Sequence, residues 1–84
     1  VDYKYLKFLY EKKKLFDLIH YDSDKSYNGR KKNYKIIWKI LNKNGCFISD
    51  DISDNSAFYE FVKINKLNYY ILQFKDKYVG VVIK

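Results

Sequence analysis

The chain has no proline, no methionine, one cysteine, three glycines and one arginine. Each shortage excludes something. A lone Cys46 has no partner for an internal disulfide, so no disulfide framework holds the fold. It lies in a predicted strand and reads as a small buried hydrophobe, which suits a reducing, cytoplasmic setting. No Cys/His cluster is present for structural zinc. Apolar runs stay well short of the roughly 18 residues of a membrane span, and no signal peptide is visible. With no methionine and Val1 at its start, the chain reads as a processed protein or a piece of a longer one.

The scarcity of arginine bears on charge. A net charge of +7 invites a nucleic-acid partner. Yet sixteen of the seventeen basic residues are Lys, and only Arg30 carries the planar fork that phosphate and base edges favour. The lysines read as a solvated surface, and nucleic acid is not the expected partner. What is plentiful is core material. At 48% hydrophobic and 20% aromatic the chain is too apolar to stay disordered. Its 84 residues allow one small domain, residues 1–84, near the size at which a single core becomes marginal.

Periodicity divides the chain into seven elements. Residues 2–14 read as an amphipathic helix with Tyr3, Leu6, Leu9 and Tyr10 on one face. Residues 15–22, "LFDLIHYD", are nearly continuous in apolar character, as in a strand covered on both faces. A turn at 23–28 leads into a helix that runs to about Asn42, with Tyr34, Ile37, Trp38 and Leu41 facing inward. Gly45 is its expected left-handed cap. "CFISDD", 46–51, is a second short strand, parallel and adjacent to the first. Residues 52–67 restart a helix, capped by Ser53 or Asp54, with Phe58, Phe61, Val62 and Leu67 buried. "NYYILQF" and "YVGVVIK" form a closing hairpin around "KDK". The fold class is therefore α/β: two parallel strands, a C-terminal antiparallel hairpin, and helices mainly on one face.

Both parallel strands end in acids at the same sheet edge. Asp22 and Asp24 leave the first; Asp50 and Asp51 leave the second. Neighbouring strands lie about 4.8 Å apart, and ligands of open α/β sheets bind at this carboxyl edge. Gathered carboxylates repel unless a cation sits between them, and oxygen ligands suit Mg2+ or Ca2+. Asp is also the ordinary residue of turns and helix caps, and on pattern alone capping is the favoured reading. His20, Lys25, Lys31, Tyr21 and Tyr27 read as structural or solvated residues.

The run from Phe16 to Asp51, "FDLIHYDSDKSYNGRKKNYKIIWKILNKNGCFISDD", resembles the second half of a class I S-adenosylmethionine-dependent methyltransferase. It is most similar to the macrocin-type O-methyltransferases, whose strand ends in D-G-D-H-S-Y, followed by a helix, a G-G turn and a strand ending in D-D. The likeness covers about residues 15–84 and includes the closing hairpin. It implies a partial Rossmann-like methyltransferase sheet. It implies Mg2+ held by Asp22, Asp50 and Asp51, with Asp24 as the general base for a small hydroxylated acceptor, possibly a sugar by that likeness. Lys25 replaces the family's His and sets an ammonium among the carboxylates, which reduces the need for a metal. Ser23 and Asn44 replace two glycines. Gly29, Gly45 and Gly80 do not form the family's glycine-rich cofactor loop, so the S-adenosylmethionine pocket is expected in a missing N-terminal half. The chain alone is then an inactive fragment. Half the sheet would lie bare, with Phe16, Leu18, Phe47 and Val81 as candidate uncovered residues, inviting self-association or pairing with the missing half. The competing readings are a non-catalytic assembly module and a basic RNA-binding domain.

Overall fold

The computed structural model describes residues 3–84. Its elements, in chain order, are α1 (Tyr3–Glu11), β1 (Phe16–Tyr21), α2 (Tyr27–Ile40), β2 (Leu41–Ser49), a short 3-10 turn (Ile52–Asp54), α3 (Ala57–Ile64), β3 (Tyr69–Phe74) and β4 (Lys77–Ile83). Asp2, placed in the first helix by periodicity, lies outside the described residues. The strands form one four-stranded sheet in the order β1-β2-β4-β3. β1 and β2 are parallel, as expected, with His20 opposite Ile48 and Tyr21 opposite Ser49. The last strand inserts between β2 and β3 and runs antiparallel to both.

The sheet has two unlike faces. Tyr21, Phe47 and Val82 point into the core, where they meet Leu6 of α1, Tyr34 and Ile37 of α2, and Phe58 and Val62 of α3. Tyr34 sits at the centre, with its ring 5.4 Å from Tyr21, 5.3 Å from Phe47 and 5.4 Å from Phe61. Such edge-on and tilted aromatic contacts add to the area they remove from water. Gly80 on β4 is there for close approach: a Cβ would lie 2.3 Å from the ring of Phe58. Register places Leu18, Ile48, Val81, Tyr70, Leu72 and Phe74 on the opposite face. Leu18 is 62% exposed and Phe74 is 69% exposed. Phe47 was expected among the uncovered residues and is instead fully buried, because strand alternation turns it toward the helices.

The helix ends depart from the sequence expectation, at the C-termini of α1 and α3 for one shared reason. Lysines take the left-handed positions that glycine usually fills. α1 stops at Glu11, short of residue 14, with Lys13 at φ 56° and the Lys14 N–H bonded to Leu9 O. α3 ends the same way, with Lys66 at φ 53° and the Leu67 N–H bonded to Val62 O. These are the bonding patterns of a Schellman ending. Gly45 is not the cap of α2. The helix passes directly into extended Leu41, and the left-handed residue is Asn44, at φ 70°. The ammonium of Lys84 closes the end of α2 by donating to the carbonyls of Trp38 and Leu41, where the helix dipole favours a cation. Ser53 and Asp54 do not cap α3. They lie in the 3-10 turn, and Asn55 Oδ1 accepts the Ala57 N–H at 3.0 Å instead. Among the described residues no helix is long and apolar enough to cross a membrane.

Candidate functional site

The parallel pairing of β1 and β2 brings their acid-bearing turns side by side. The Asp50 N–H donates to Tyr21 O at 3.0 Å, so the two strands stay joined to the end of the ladder. Beyond that bond the backbone of each turn is clamped from beneath by Arg30. Only 1% of this side chain is exposed. Its Nη1 donates to Asp50 O at 2.9 Å, Ser49 Oγ at 3.1 Å and Tyr34 OH at 2.9 Å. Nη2 donates to Asp51 O at 3.2 Å, and Nε donates to Lys25 O at 3.2 Å. A buried guanidinium is tolerable only when its donors are matched in this way. Asn55 Nδ2 adds a second bond to Lys25 O, at 2.9 Å. Sequence reasoning singled out Arg30 as the one arginine but weighed it only against nucleic acid, and so missed its buried structural role. The signal available was its place, four residues before inward-facing Tyr34.

Four acids were expected at this edge, and they do three different things. Asp24 Oδ1 accepts the Ser26 N–H at 3.0 Å, and Ser26 Oγ accepts the Gly29 N–H at 3.0 Å to cap α2. The Ser26 bonds hold the Asp24 carboxyl below its usual range. A Cβ on Gly29 would lie 2.1 Å from Asp24 Oδ2, so a larger residue there would make the carboxylate move. Asp22 and Asp51 converge on Lys25: its Nζ is 2.5 Å from Asp51 Oδ2 and 3.6 Å from Asp22 Oδ1. The bond to Asp51 raises the Lys25 ammonium, and the same bond lowers the Asp51 carboxyl. Both partners are therefore charged across the neutral range. The pair is lost only as pH falls through the lowered carboxyl value or rises through the raised ammonium value. Asp50 turns elsewhere, with Oδ1 3.0 Å from His20 Nε2.

The residues assigned to a divalent ion therefore do not form one cup. Two of them face an ammonium, and the third faces an imidazole. Among the described residues no group of three or more His, Cys, Asp or Glu side chains is arranged to hold a metal. Mg2+ keeps several waters and binds through one or two free carboxylates, and here each of the three already faces an ammonium or an imidazole. Nor do the glycines fit a cofactor cradle. Gly29 is filled by Asp24, Gly45 by Leu41 and the Asn42 carbonyl, and Gly80 by Phe58.

No protein-family model matches the chain. No curated protein matches it either. Among solved structures, an O-methyltransferase from Bacillus cereus in complex with SAH superposes on 96% of this chain, with a TM-score of 0.75 and 20% identity. The chain has a partial Rossmann-like α/β fold like that of this protein. The chain spans 46% of the length of that O-methyltransferase. The likeness carries the α/β architecture, with its parallel pair, inserted last strand and helices on one face.

Proposed function

We propose that the chain is part of an S-adenosylmethionine-dependent O-methyltransferase that acts on a hydroxyl of a small molecule, with a sugar as the first acceptor to try. The observation that carries this reading is the superposition on an SAH-bound O-methyltransferase over nearly the whole chain. The clustered acids at the carboxyl edge of β1 and β2 support it, since ligands of such sheets gather there. S-adenosylmethionine, when bound, supplies a methyl group on a sulfonium sulfur. Its pocket is assigned to an N-terminal half, because the three glycines of this chain are occupied by close packing. What this chain contributes is the acceptor edge. Asp24 offers a carboxylate to take the acceptor proton, and Lys25 offers an ammonium to orient the hydroxyl oxygen. The divalent metal implied by the family resemblance has less support than this ammonium, which already engages Asp22 and Asp51.

The test lies upstream of Val1. A glycine-rich strand–loop–helix encoded there, in a longer protein that binds SAH by calorimetry while the 84-residue chain does not, is the expected result. A longer protein that takes up no SAH overturns the reading. A second reading, a non-catalytic assembly module, is favoured by the exposed apolar side chains Leu18, Tyr70, Leu72 and Phe74. In the methyltransferase reading that face is covered by the N-terminal half or by a second copy.

A further inference from the structure

We propose that Lys25 is a built-in cation of the carboxyl edge: its ammonium fills the place between Asp22 and Asp51 that a divalent ion would need, so a tethered positive charge organises this edge. The inference does not rest on methyl transfer, because ion uptake can be read without cofactor or acceptor.

The geometry argues from both ends of the lysine. At its tip, Nζ reaches Asp51 Oδ2 at 2.5 Å and Asp22 Oδ1 at 3.6 Å, bridging the turn after β1 to the turn after β2. At its base, the Lys25 carbonyl accepts from Arg30 Nε at 3.2 Å and Asn55 Nδ2 at 2.9 Å. The backbone that launches the side chain is therefore fixed to α2 and to the loop between β2 and α3. A flexible surface lysine has no such anchorage. Asp51 is the less exposed partner, at 18% against 57% for Asp22, so the closer bond is also the better shielded one. Asp50, the third oxygen donor a small dication would call on, is engaged with His20 on the other side. An incoming dication would have to expel the ammonium, meet its repulsion, and pull Asp50 away from His20. With the ammonium removed, Asp22 and Asp51 become two neighbouring carboxylates without their shared counter-charge, and Asp51 keeps only the weaker influence of Lys77 and Arg30. That is the arrangement that recruits a hard cation.

The consequence for chemistry is specific. A ligand oxygen entering between these turns meets an N–H donor on a side chain anchored at its base and held at its tip. The edge would then favour hydroxyl or anionic oxygen by hydrogen bonding.

The test titrates the full chain with Mg2+ by calorimetry and with Mn2+ by its electron paramagnetic resonance signal. Lys25→Met keeps the apolar stem and removes the charge. The variant is expected to bind the ion at least tenfold more tightly than the wild type. In the Lys25→Met background, Asp22→Asn is expected to abolish the gain. Circular dichroism checks that each variant folds, and Lys25→Gln serves if the methionine variant does not. Equal affinity in wild type and variant overturns the proposal. So does an absence of uptake by both, because the carboxylates then hold no ion even without the ammonium. A gained ion that ignores Asp22→Asn overturns it as well.

Discussion

The two faces of the sheet are built from similar residues and have opposite fates. Phe58 and Phe47 lie on the helical side and are completely buried; Phe74 and Leu72, on the other, are 69% and 56% exposed. Hydrophobicity alone does not separate them. Position relative to the helices does. The largest expected effect follows directly. Phe58→Ala removes a ring that is seated on Gly80, and it should cost about 3–5 kcal/mol of unfolding free energy. Phe74→Ala should change stability by no more than about 0.5 kcal/mol. Urea unfolding of the two variants measures the contrast. Similar losses would show that the open face contributes to the folded core after all.

Arg30 sharpens the same comparison from the polar side. It lies with the buried residues, yet its bonds run to the carbonyls of Lys25, Asp50 and Asp51 at the carboxyl edge of the parallel pair. Arg30→Met keeps most of the volume and strips the donors. We expect a loss of about 2–4 kcal/mol, because buried acceptors are left unmatched. Amide exchange should speed up at residues 22–26 and 50–55 more than in α3. A uniform loss across the chain would mean that Arg30 acts on the whole core and not on the two turns.

The same two faces explain what the sequence could and could not reveal. The order of elements was legible because helix and strand periods are written in the side chains. The parallel pair followed from its connection through α2. The facing of Phe47 was not legible: "CFI" is apolar at every position, so no alternation marks which side is inward. The ends of α1 and α3 were misplaced where Lys13 and Lys66 adopt the left-handed conformation, which a lysine does not announce in the sequence. At the site, the convergence of Asp22 and Asp51 was foreseeable from strand adjacency. The separate engagement of Asp50 was not, because it depends on His20 projecting from β1 toward it, and that is a tertiary contact. Asp24 carried two readings, as a base and as a turn residue. Its bond to the Ser26 N–H and its contact with Gly29 account for the turn role, and the base role stays with the proposal.

Left-handed lysines supply a smaller effect that still discriminates. Lys66 ends α3 on the packed side, and Lys75 sits at φ 57° in the turn of the β3–β4 hairpin. Glycine at either position removes the steric cost of a Cβ at positive φ, while loosening the unfolded chain. Lys66→Gly should gain about 0.5–1 kcal/mol, because the Schellman bonds to Lys63 O and Val62 O hold its conformation in place. The gain from Lys75→Gly should be smaller, since its hairpin is exposed and less constrained. Thermal unfolding of the pair checks the order, and a reversed order would place the rigid part of the molecule at the hairpin.

The smallest expected change in stability tests the open face itself. Leu72 lies on β3 opposite Val79, with 56% of its surface exposed, beside exposed Tyr70 and Phe74. Contiguous apolar surface of this kind promotes association, and β3 is also an edge strand with unpaired backbone groups along its outer side. Leu72→Lys adds a charge to both features without touching the core. Its unfolding free energy should stay within about 0.5 kcal/mol of the wild type. Its sedimentation should differ: the wild type is expected to associate with rising concentration, and the variant to remain monomeric over the same range. The two measurements must be taken together. A variant that loses stability would show that Leu72 is part of the fold. A wild type that stays monomeric at every concentration would show that the bare face needs no cover, and the asymmetry between the two faces would then carry no consequence for assembly.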